Sequence, residues 1–304
     1  MKLSIIFCVV FLCNQLCFAQ NTSPLYNFPG STSLTFTPGD SAAGIQLNSL
    51  YGQGTHAPSP YKTSLLTDGL AIAGAVGVTL LGYELIKNKR NLTNEELAGK
   101  TKDKLPFFDR GNAGLYSPQA DKDSYILFDA SYAIPLLMTL IDKNERTKAG
   151  QLIVLYFETI GITGALYTIT AGLVYRSRPF VYGTKAPLDK RLYKGSQRSF
   201  YGGHVATTAA ATFLTAKIFR DFNPHSKLRP YLWGAAGGLT VLMGYLRDRA
   251  GYHFLSDCVV SGIIGSTTGI LIPALHKNKD FQNFSLAPTM INGNTGLSLT
   301  YRFD

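Results

Sequence analysis

Between positions 65 and 275 apolar runs of helical length alternate with short polar connections, and this pattern limits the possible folds more than any other feature of the chain. The runs cover 65–86, 124–141, 149–175, 204–219, 228–246 and 253–275, separated by polar or Pro/Gly-bearing segments. The first closes on Lys87-Asn88-Lys89-Arg90, the basic stop that a helix C-terminus favours. These segments predict an all-α fold, a bundle of about six helices. With 304 residues the chain can bury a core without staples.

The flanks read differently. Residues 1–19, with Lys2 ahead of an apolar run and Cys17-Phe18-Ala19 behind it, predict a secretory signal peptide. Residues 20–61 are rich in Ser, Thr, Gly and Pro and predict a flexible N-terminal arm. A helical domain over 62–280 follows, with its motif-bearing core at 124–275. The tail, 281–304, alternates Leu297, Leu299, Tyr301 and Phe303 after Asn292-Gly293-Asn294, the signal of a short β-hairpin. Cys8, Cys13 and Cys17 lie in the leader, so only Cys258 remains and no internal disulfide is expected.

Hydrophobic residues make up 45% of the chain and charged residues only 16%, between the values of soluble and membrane proteins. Only 258–275 is long, apolar and free of charge, since the other runs carry Glu84, Asp129, Glu158 or the pair Lys217 and Arg220, or are short. A cleaved leader sets the mature N-terminus outside. If every helix then crossed a membrane, the loop after the third would be cytoplasmic. An outward-facing site on that loop therefore requires that one early helix does not span, or that the bundle is peripheral. The formal charge of +10, of which the leader holds only Lys2, favours an anionic partner. Zinc-finger spacing, basic heptads and aromatic nucleic-acid motifs are missing, so nucleic acid is not expected. Phosphate esters and membrane headgroups fit the sign.

Three clusters carry chemistry. Tyr175-Arg176-Ser177-Arg178-Pro179 ends a long helix and opens a loop with Lys185, Lys190, Arg191, Lys194 and Arg198. Two guanidinium groups at such an exit suit bidentate phosphate binding, and a solvated basic loop fits equally. Ser199-Phe200-Tyr201-Gly202-Gly203-His204 precedes a helical run, where glycines and free N–H groups can receive an anion; a turn with a satisfied histidine fits too. In the third, Arg247 stands six positions before His253, and His253 four before Asp257. On a helix these last two share a face, so the carboxylate can hold one imidazole nitrogen and leave the other as nucleophile or base. A surface His–Asp pair has the same spacing.

Taken in order, the clusters resemble the type 2 phosphatidic acid phosphatase and vanadium haloperoxidase superfamily. Its pattern is a lysine, six residues, Arg-Pro; then Pro-Ser-Gly-His; then Ser-Arg, five residues, His, three residues, Asp. Arg178-Pro179, Gly203-His204, and Arg247, His253 and Asp257 match, over roughly 124–275. Three positions depart: the lysine falls at Ala171, Pro-Ser at Tyr201-Gly202, and the serine before Arg247 at Leu246. Arg176 is the natural stand-in for the lysine.

The resemblance implies a phosphatase that cleaves phosphate monoesters or diphosphates, of lipids or small soluble esters, through a phosphohistidine. It implies His253 as nucleophile, Asp257 as the acid that orients it and His204 as general acid and base. Arg178, Arg247, Arg176 and the Gly203 N–H would bind phosphate. It implies no metal, with phosphate or vanadate as the site ligand, and no Asp, Glu and His stand at metal-ligand spacing along the chain. The expected location is the cell envelope, exported and membrane-associated or periplasmic, with the site facing the periplasm. A vanadium-dependent haloperoxidase, a phosphotransferase and a non-catalytic envelope protein with a degenerate site stay open as alternatives. A single hairpin cannot close an outer-membrane barrel.

Overall fold

The computed structural model describes residues 59–278 and the strand pair 284–291 and 294–301. The expected signal peptide at 1–19 and nearly all of the arm at 20–61 lie outside the described residues. Six long helices run among them: α1 (Leu65–Lys87), α2 (Pro118–Ile141), α3 (Ala149–Leu173), α4 (Gly203–Phe222), α5 (Arg229–Arg249) and α6 (Leu255–Leu275). The described part of the chain is thus mostly helical, as its periodicity predicts. In the tail, β1 (Phe284–Ile291) pairs antiparallel with β2 (Asn294–Tyr301), with Leu286 opposite Leu299.

Boundaries moved where local chemistry outweighed hydropathy. α2 starts at Pro118, six residues ahead of the apolar run, because Ser117 caps the Ala120 N–H and Pro118 suits the first helical turn. α3 stops at Leu173, where Val174 turns extended and releases the chain toward Arg176 and Arg178. α6 begins at Leu255, beyond His253, because the Asp257 carboxylate caps the Phe254 N–H at 2.9 Å. The segment between α1 and α2 is no plain linker. Its Leu92 and Leu97 pack on Phe180, Val181 and Ala186, and its Leu105 and Ala113 pack on Phe254, walling the loop after α3.

α4 is the central helix, packed against α6, α5, α2 and α3, and its Ala206, Ala209, Ala210, Ala211 and Leu214 are fully buried. Small residues allow that closeness. A Cβ on Gly265 of α6 would lie 2.1 Å from the Ala206 carbonyl oxygen, and one on Gly269 2.4 Å from that of Ala210. Glycines four apart thus bring two helix backbones together, which sets the start of α6 beside the start of α4. Around this centre, α1, α2, α3 and α6 are each long and apolar enough to cross a membrane. α1 in particular exposes Leu65, Leu66, Leu70, Leu80 and Leu81, an apolar outer face that no described residue covers.

Candidate functional site

All the predicted site residues gather where α3, α4, α5 and α6 begin or end. Past α3, residues 176–178 run parallel to 196–199: Arg176 N donates to Gln197 O at 3.2 Å, Arg178 N to Ser196 O at 2.8 Å, and Ser199 N to Arg176 O at 2.9 Å. This pairing fixes the first two clusters against each other. The third turns at Gly251, whose φ of +79° and whose missing Cβ, which would lie 1.9 Å from Leu115 O, leave no room for another residue.

His253 is 2% exposed. Its Nδ1 lies 2.6 Å from the carbonyl oxygen of Ser199. A carbonyl can only accept, so a neutral ring carries its proton on Nδ1 and its lone pair on Nε2. Burial, then the charges of Arg247 and Arg178, hold the imidazole well below the ordinary histidine range despite the Ser199 bond. The ring packs on Gly202, where a Cβ would come within 3.3 Å of it. The expected direct hold of Asp257 on this ring is corrected. His253 precedes α6 rather than lying on it, so the helical four-residue geometry does not apply.

Asp257 serves the turn instead. Its Oδ2 accepts from Ser199 Oγ at 2.6 Å and from the Phe254 N–H, and its Oδ1 accepts from Arg176. Arg176 also reaches Asp109, fully buried, at 2.6 Å, and its guanidinium lies 4.8 Å from the centre of the Phe254 ring. With both amino groups on carboxylates, Arg176 is a structural tie between Asp109 and Asp257. This corrects its expected role as substitute for the lysine missing at Ala171.

Other cations gather around Tyr252. The guanidinium carbons of Arg178 and Arg247 stand 4.5 and 4.3 Å from the centre of the Tyr252 ring, and Lys190 Nζ stands 5.2 Å from it. Arg247, 2% exposed, is anchored to Asp121 at 2.6 Å and Ser124 at 2.9 Å. Arg178 is pushed down to about 10 by burial and by Arg198, and stays charged at neutral pH. Among the described residues, no carboxylate is ion-paired to Arg178, Lys190 or Arg198. The corner thus carries surplus positive charge.

His204 is the second residue of α4, stacked on Phe128 with ring centres 4.1 Å apart and edge-on to Tyr125 at 4.9 Å. It is the least of the influences that lower the proton affinity of His253. Gly203 lies under Tyr167, whose ring a Cβ would meet at 2.9 Å, and α4 has no side-chain cap. Sequence reasoning passed over Tyr252, Asp109, Asp121 and the carbonyl of Ser199. Tyr252 stands beside the motif histidine and could have been suspected. Asp109, on the short helix Phe107–Arg110, gave no signal in a stretch of ordinary polar residues.

Fold and site together define a helical-bundle protein with a histidine buried among cationic side chains. More particularly, residues 152–281 match the PAP2 superfamily. Two solved structures are similar. The transmembrane PAP2 type phosphatidylglycerolphosphate phosphatase of Bacillus subtilis is 18% identical, over 66% of this chain and 94% of its own, with a TM-score of 0.42. Aquifex aeolicus LpxE is 23% identical, over 57% of this chain and 98% of its own, with a TM-score of 0.39. No curated protein matches the chain.

Proposed function

We propose that the chain is a phosphatase that cleaves phosphate esters or diphosphates carried by membrane lipids, through a phosphohistidine at His253. The reading rests on one observation above all: an imidazole with Nδ1 fixed by the Ser199 carbonyl and depressed in basicity by Arg247 and Arg178, in the PAP2 region. A neutral ring so held offers the Nε2 lone pair at neutral pH, and phosphate would relieve the surplus charge beside it.

In the proposed reaction Nε2 of His253 attacks phosphorus, the ester P–O bond breaks, and His204 gives its proton to the leaving oxygen. Arg178, Arg247 and Lys190 bind the equatorial oxygens, with the N–H groups at the start of α4 aimed the same way. Ser199 accepts the Nδ1 proton's hydrogen bond throughout, and Asp257 steadies Ser199. Water then attacks the phosphohistidine, His204 takes its proton, the P–N bond breaks and phosphate leaves. Every step is assigned to a side chain and none to a metal.

The substrate class follows from the exposed apolar faces of α1, α2, α3 and α6, which would bring the site to a lipid surface. We assign the protein to the cell envelope, membrane-associated, with the site on the periplasmic side, which behind a cleaved leader requires that one of α1, α2 and α3 does not cross the membrane. The test is phosphate release from phosphatidic acid in mixed micelles and from a soluble monoester, with acid-labile phosphate on quenched enzyme as second readout. His253→Ala should abolish both, and His204→Ala should slow release at least 100-fold, about the worth of general acid–base catalysis. Release that persists in His253→Ala overturns the proposal.

A further inference from the structure

At the opposite end of α6 a second cluster forms. Asp68 of α1, Glu158 of α3 and His276, which ends α6, each turn one ligand atom to within 4.8 Å of the others. At 1.5 Å per helical residue it lies about 28 Å from Asp257, so it belongs to a different place in the molecule. No spacing in the sequence announces it, because its members come from three separate helices.

The orientation of His276 gives the cluster its meaning. Nδ1 lies 2.8 Å from the Ile272 carbonyl, an acceptor only, so the proton of a neutral ring sits there and the Nε2 lone pair faces the carboxylates. Nε2 is 3.3 Å from Asp68 Oδ1 and 3.2 Å from Glu158 Oε2. Glu158 Oε2 is nevertheless buried and accepts a hydrogen bond from no donor. Asp68 and Glu158 are 5% and 6% exposed, and among the described residues no lysine or arginine is ion-paired to either. Two buried carboxylates facing one imidazole nitrogen need a positive charge beside them, supplied either by a second proton on the ring or by a cation held between the three groups.

We propose that Asp68, Glu158 and His276 bind one divalent transition cation, with zinc the best match, as a clamp on α1, α3 and the end of α6. Ligand atoms bonded to tetrahedral zinc at about 2.0 Å stand about 3.3 Å apart, the separation found from Nε2 to each carboxylate. An imidazole that donates its other nitrogen to a backbone carbonyl is the usual support for such a ligand. One imidazole with two carboxylates suits zinc better than calcium or magnesium, which prefer oxygen alone. The clamp is independent of the phosphatase reading.

The test uses the full chain, purified in detergent, stripped with chelator and returned to zinc. Elemental analysis should find one zinc per chain, and the thermal midpoint should rise by about 5 °C over the stripped protein. His253→Ala should keep both, which sets aside binding at the other histidine cluster. Glu158→Gln and His276→Gln should lose both, while phosphate release by folded Glu158→Gln persists. An equal rise in Glu158→Gln, or less than one zinc per wild-type chain, overturns the proposal and leaves an imidazolium–carboxylate triad. If neither variant folds, the zinc content of wild type and His253→Ala decides.

Discussion

Nδ1 of His253 lies 2.6 Å from the carbonyl oxygen of Ser199, the residue whose hydroxyl donates to Asp257 at 2.6 Å. The carboxylate therefore reaches the imidazole through another residue. The acceptor that sets the ring is a main-chain atom, which neither titrates nor disappears on substitution.

Ser199→Ala keeps that carbonyl but frees it to shift, and leaves Asp257 Oδ2 with the Phe254 N–H alone. The rate of phosphate release should fall about tenfold, equivalent to about 1.4 kcal/mol, with KM little changed. A wild-type rate would mean that Ser199 does not position the nucleophile. Steady-state kinetics on one lipid substrate decides.

Arg176→Ala leaves Asp109 and Asp257 buried without their shared cation. Breaking a buried pair typically costs 3–5 kcal/mol; because the Arg176 side chain keeps 23% of its exposure, the lower end, about 3 kcal/mol, is expected. Arg176→Lys should recover only part of this, since one ammonium cannot replace a fork on two carboxylates. Denaturant unfolding measures it. Unchanged stability with a raised KM would instead make Arg176 a phosphate ligand.

The depressed basicity of His253 sets a pH signature. Its ring stays neutral below the ordinary histidine value of about 6.5, so phosphoenzyme formation should persist into mild acid. Arg247→Gln removes the larger charge effect, raises the proton affinity of the ring, and should move the acid limb of kcat/KM to higher pH even as the rate falls. Stability follows the same linkage. Below pH about 6.5 the unfolded chain takes up a proton that folded His253 refuses, so this residue destabilises the fold as the medium acidifies. An acid limb that stays in place in Arg247→Gln would contradict the assignment.

Gly202→Ser restores the residue type of the family motif, yet its Cβ would come within 3.2 Å of Ser261 Oγ and 3.3 Å of the His253 ring. Overpacking of this kind costs about 1–3 kcal/mol. The variant should be slower and less stable than wild type rather than improved. A faster enzyme would show that the ring has room to give.

Gly265→Leu probes the frame that carries the site. Its side chain would enter the Ala206 backbone of α4 and force α6 away. A loss of at least about 3 kcal/mol is expected in thermal unfolding, with phosphate release lost as well. Retention of both would mean that α4 and α6 need not touch for the site to form.

The sequence by itself determined the helical class, because six apolar runs of helical length leave few other ways to bury their surface. It also determined which residues deserved attention, because Arg178, His204, Arg247, His253 and Asp257 keep motif spacing. Tertiary structure decided what each of them touches. Arg176 and Arg178 are two residues apart and alike in type, yet one is spent on Asp109 and Asp257 while the other stays unpaired by any described carboxylate. Asp109, and the meeting of Asp68, Glu158 and His276, had no local signal at all. The physical reason is one of range. Helix formation, capping and spacing are fixed by neighbours within a turn or two. Hydrogen bonds, ion pairs and the burial that tunes a pKa depend on which distant backbones the packing of α4 against α6 brings together.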